Sequence, residues 1–122
     1  SDNDSVTVIG AGVTLHEALT AYDELEKEGI RIRVIDCYSI KPIDTAALRK
    51  AAKETKAVVT VEDHVREGGI GEAIASVLAV EKIPVHILAV RKIPKSGKPQ
   101  ELLDYEEISA KAIVTKVKAL CV

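Results

Sequence analysis

No phenylalanine, tryptophan or methionine occurs in the sequence, and aromatic residues make up only 2% of it. A chain so poor in rings offers no platform on which nucleic-acid bases or sugars could stack. Its core has to be assembled from Val, Ile, Leu and Ala, which suit a sheet covered by helices. Neither sign of charge dominates: 17 Lys and Arg face 19 Asp and Glu, a formal net charge of −2. The basic face of an electrostatic nucleic-acid binder is therefore not expected. No apolar run exceeds five residues, far short of the roughly twenty that cross a bilayer, so no membrane partner is expected and the chain reads as soluble. A basic start followed by an apolar stretch is also lacking, so no signal peptide is read. The two cysteines, Cys37 and Cys121, are too few and too far apart for a disulfide framework or a zinc site; they point to a reducing compartment, the cytoplasm.

What is present is a 47% hydrophobic chain of 122 residues, enough for one domain, 1–122, with a real core. Short apolar runs alternate with stretches of helical period, the pattern of βαβ units. Val6 to Ile9 reads as a first strand stopped by Gly10-Ala11-Gly12. Thr14 and Glu17 read as a capping box, followed by Leu15, Ala18, Leu19, Tyr22 and Leu25 at helical spacing and by Gly29 as a left-handed stop. Ile30 to Ile35 is the second strand. Its alternation of Ile32 and Val34 with Arg31 and Arg33 places it near the rim of a sheet. Lys41-Pro42-Ile43-Asp44 forms a turn in which Asp44 caps a helix running to about Thr55. Ala57 to Val61 is apolar without alternation, as in a central strand covered on both faces. Gly68, Gly69 and Gly71 introduce a third helix with Ile74, Val77 and Leu78. Pro84 precedes a fourth strand, Val85 to Val90. A last helix begins near Ser109 and sets Ala112, Ile113, Val117, Leu120 and Cys121 on one face. Right-handed crossovers between these strands predict a three-layer αβα fold, a doubly wound and mainly parallel sheet of order 2-1-3-4. Its two glycine-rich turns would flank the crevice where such folds bind ligands.

Several segments imitate known chemistry. Gly10, Gly12 and Asp36 resemble a dinucleotide fingerprint, with Asp36 in the place that holds a ribose, but the third small residue would fall at Leu15. Gly68, Gly69 and Gly71 at a helix start could present N–H groups to an anion. Glu62, Asp63, Glu67 and Glu72 surround them and would repel it, which favours glycines that let the loop pack closely or meet another domain. Ser96-Gly97-Lys98-Pro99 lacks the hydroxyl residue of a phosphate loop, and its neighbours Arg91, Lys92 and Lys95 read as a solvated or interface segment. Asp63 and His64 are adjacent on an extended segment and point apart. His16 and His86 stand alone, so no catalytic constellation is read. A phosphoacceptor domain would need acids where Gly10 and Ala11 stand.

The segments Val6 to Ala18, Arg33 to Asp36, Ser39 to Asp44, Thr60 to His64, Glu67 to Ala73 and Ser96 to Pro99 resemble, in order and spacing, the final domain of the transketolase family, in particular animal transketolases and transketolase-like proteins. The resemblance implies a parent transferase of the pentose phosphate pathway that moves a two-carbon ketol unit from a ketose phosphate to an aldose phosphate. It implies thiamine diphosphate and Mg²⁺ or Ca²⁺ as cofactors, held by upstream domains, and a homodimer. No catalytic, cofactor-binding or metal residue is carried onto this chain; Gly10, Gly12, Asp36, Gly68, Gly69 and Gly71 remain crevice candidates only. Family members also place an extra antiparallel strand along the rim, before the segment matching Val6, and this chain is expected to lack it. Three readings follow: a non-catalytic transketolase domain with no cofactor of its own, partnered by the upstream domains; a small nucleotide-binding regulatory module; and a free-standing interaction domain.

Overall fold

The alternating runs fold as read. The structure, a computed structural model, describes residues 4–37, 44–65, 69–79, 82–90 and 108–121. Strand β1 (Val6–Gly10) leads through α1 (Val13–Lys27) to β2 (Ile32–Asp36), then α2 (Thr45–Glu54), β3 (Ala57–Val65), α3 (Ile70–Leu78), β4 (Val85–Val90) and α4 (Ala110–Leu120). The strands form one sheet of order β2-β1-β3-β4, and every pairing is parallel. Because successive residues of a strand face opposite sides, the sheet feeds two cores. Val6, Val8, Val59 and Val61 pack with α1 and α4, while Ile9 and Val58 pack with α2 and α3. The result is a three-layer αβα, doubly wound fold.

Burial tracks position. Ala57 to Val61 is buried throughout, as a strand paired on both sides and covered on both faces must be. β2 lies at the edge, paired with β1 among the described residues. Its Arg33 does not simply meet water. Nε donates to Asp4 at 3.3 Å and Nη1 to Glu54 at 2.6 Å, tying the residues before β1 to the rim and to α2. The hydrogen bond with Glu54 raises the guanidinium above its ordinary pKa despite partial burial, and the same bond holds Glu54 below its own. Helix ends follow local chemistry. Asp44 accepts from Ala47 N–H at 3.0 Å, as an N-cap should. At the end of α1, Gly29 has φ +81°; its N–H bonds Glu26 O at 3.0 Å and that of Ile30 bonds Leu25 O at 2.9 Å, a Schellman stop with its hydrophobic contact.

The start of α1 departs from expectation. Its N-cap is Gly12, without a side-chain capping bond, and Thr14 lies inside the first turn. Glu17, read as a capping partner of Thr14, is buried and accepts instead from Ala110 N–H at 3.3 Å, at the start of α4. The buried face is Thr14, Glu17, Ala18, Ala21 and Leu25, whereas Leu19 is 49% exposed. Small Ala18 and Ala21 let the helix lie close to the sheet, and that rotation turns Leu19 outward.

Candidate functional site

At the carboxyl ends of β1 and β3, where the ligand crevice was expected, two βα connections lead into α1 and α3. In the first, Gly10 has no room for a side chain: a β-carbon there would stand 3.0 Å from Leu15 N and from Thr14 C and O. These are backbone atoms of α1, so the helix approaches the strand end on Gly10 itself. Close packing that a nucleotide fold takes from its third small residue is supplied here one turn earlier, which is why Leu15 is tolerated. Gly12 has φ +60°, ψ −125°, a conformation that disfavours any side chain. The turn is closed on itself: Thr14 Oγ1 lies 3.0 Å from Ala11 N and 2.8 Å from Ala11 O, bonding both. Asp36 stands opposite Gly10 in the register of β1 and β2, so the structure brings Gly10 and Asp36 together, with Gly12 two residues further along the turn.

The second turn holds a residue whose role the sequence did not disclose. Glu62 on β3 is 2% exposed, and its Oε1 and Oε2 accept from Ile70 N–H at 2.8 Å and Gly71 N–H at 2.7 Å. The carboxylate therefore occupies the positive end of α3, where an external anion would otherwise sit. Rather than repelling a ligand from nearby, Glu62 takes its place. Gly69 is the N-cap of α3, without a side-chain bond. A β-carbon on Gly71 would lie 2.7 Å from Thr60 Oγ1 and from Ile87 Cγ1, so this glycine lets α3 press against β3 and β4. Thr60 Oγ1 is buried without a hydrogen-bond partner among the described residues. Gly68 and Glu67 lie outside the described residues. The signal for Glu62 was an acid directly after the apolar run Ala57 to Val61, eight residues ahead of a glycine-flanked helix start.

Elsewhere the candidates do not converge. His16 is exposed on α1. His86 on β4 is partly buried, and that burial, ahead of the charge of Lys116, holds its imidazole below the ordinary value. The side chains of Asp63 and His64, and the whole of 91–99 with Arg91, Lys92, Lys95 and Ser96 to Pro99, lie outside the described residues. Among the described residues no three His, Cys, Asp or Glu side chains could together hold a metal ion, and no helix is long and apolar enough to cross a membrane.

Comparison with known proteins identifies the family. Residues 1–113 match the family "Transketolase, C-terminal domain". The chain is 56% identical over 117 residues to mouse (Mus musculus) transketolase-like protein 2, covering 94% of this chain and 19% of that one. It is 52% identical over 122 residues to human transketolase, covering 98% of this chain and 20% of that one. Among solved structures, a split-gene transketolase described as an inactive beta4 tetramer superposes with a TM-score of 0.88 at 39% identity, over 97% of this chain and 39% of that chain. Transketolase from Campylobacter jejuni shares the fold at a TM-score of 0.69 and 17% identity, over 98% and 17% of the two chains. The chain thus spans about a fifth of the curated relatives it matches, and it belongs to the transketolase C-terminal domain family.

Proposed function

We propose that this chain is the non-catalytic C-terminal domain of a thiamine-diphosphate-dependent transketolase, a scaffold whose upstream domains carry out two-carbon ketol transfer from a ketose phosphate to an aldose phosphate. The observation that carries this reading is the spending of polar groups in the crevice on the fold itself. Glu62 caps α3 and Thr14 closes the first turn. A diphosphate would meet the Glu62 carboxylate where it needs N–H donors. A divalent ion needs several oxygen ligands, and the described residues offer no such cluster. These residues do not fit thiamine diphosphate or its metal, so no step is routed through either here. Support also comes from the solved split-gene transketolase, which is described as an inactive beta4 tetramer. In the parent the domain would lean on the upstream domains of a cytoplasmic homodimer.

The test has two arms. The chain by itself, supplied with thiamine diphosphate, Mg²⁺, a ketose phosphate and an aldose phosphate, gives no turnover. Replacing the matching C-terminal fifth of human transketolase with this chain retains turnover. Activity of the chain alone would overturn the non-catalytic assignment, and a folded, dimeric but inactive chimera would overturn the assignment to a working transketolase.

A further inference from the structure

The first N–H groups of a helix lack intrahelical partners, and the peptide dipoles sum to a positive end beside them, so helix starts collect oxygen-bearing anions. At α3, nine residues long, the place is filled from within. Both oxygens of Glu62 are engaged, one by each of the first two helical N–H groups, at 2.8 and 2.7 Å. That is how a bound carboxylate ligand would sit, and the group is 2% exposed. A second feature points the same way. Thr60, 0% exposed, stands two residues earlier on the same face of β3, and its Oγ1 has no partner among the described residues. It faces the first turn of α3, since a β-carbon on Gly71 would be 2.7 Å away. Buried hydroxyls without partners are rare. Here one faces the first turn of a helix whose first two N–H groups already hold a carboxylate.

We propose that the start of α3 is an oxyanion site whose ligand the chain supplies itself, as Glu62, and that this residue closes the crevice to external anions. Without it, the same donors accept a carboxylate-sized oxyanion from solution. This holds whatever the parent enzyme catalyses, because it concerns only the chain's own donors and acceptor.

Chemical rescue reads the site directly. Glu62→Ala removes the carboxylate and leaves the two N–H groups; sodium formate returns the missing group. At about ten times its dissociation constant, formate should raise the melting temperature of E62A by roughly 5 °C over sodium chloride of equal ionic strength. In wild type the place is taken, and in Glu62→Gln it is filled by an amide, so neither should show this formate-specific shift. Should E62A not fold in chloride, recovery on refolding from urea in formate against chloride gives the readout, with formate-dependent recovery expected. Identical behaviour of E62A in the two salts, or an equal formate response in wild type, overturns the proposal.

Discussion

At the scale of single residues, the crevice is governed by contacts at the limit of packing. Gly71→Ala would drive a β-carbon to 2.7 Å from Thr60 Oγ1 and Ile87 Cγ1, inside a buried layer. The cost of such overpacking is about 1–3 kcal/mol, read as a lower urea midpoint with an unchanged slope. Thr60→Val acts in the opposite direction. It keeps the shape and removes a buried hydroxyl that has no partner among the described residues, so stability is unchanged or rises by up to about 1–2 kcal/mol; a clear loss would mean that the hydroxyl is bonded. Glu62 shows where sequence reading stops. Its neighbourhood was legible as acidic and glycine-rich, and so was its tendency to discourage anions. The contact that gives it meaning joins a strand to a helix eight and nine residues on, and no periodicity encodes that. Thr14 and Glu17 mislead for a related reason: their spacing matches a capping box, yet Glu17 reaches Ala110, 93 residues away.

At the scale of elements, the period of the apolar residues located each of the described strands and helices, while ends and facing depended on packing. Asp44 and Gly29 were readable because their chemistry is local. Asp44→Ala removes the acceptor for Ala47 N–H and should cost about 1 kcal/mol in denaturant unfolding. The face of α1 was readable in part: Ala18 and Leu25 are core as expected, whereas a helical template also scores Leu19 as core and the close approach of the helix favours Ala21 instead. β4 carries a pH signature. His86 has its pKa lowered from 6.5, first by burial and then by Lys116, so the unfolded chain binds the proton more readily than the fold. Its contribution to stability is present above pH 6.5 and is lost as pH falls through the depressed folded value. His86→Gln should flatten stability against pH on the acid side of neutrality; an unaltered slope would remove His86 as its source.

At the scale of the whole molecule, strand order was legible from two facts: the polar alternation of β2 and the unbroken apolar run of β3. Together they fix an edge and a centre, and right-handed crossovers do the rest. Six segments in register pointed to the transketolase family, and the match over residues 1–113 bears this out. Sequence alone did not say whether the crevice could serve a cofactor, since that depends on which N–H groups the fold has already used. As proposed above, this domain supports a transketolase without holding its cofactor. Calorimetric titration of the chain with thiamine diphosphate and Mg²⁺, with NAD⁺ and ATP in parallel, tests it most directly. No saturable heat is expected from any of the three; thiamine diphosphate binding at micromolar affinity, about −8 kcal/mol, would contradict the claim, and NAD⁺ or ATP binding abolished by Asp36→Ala would make the chain a nucleotide module instead.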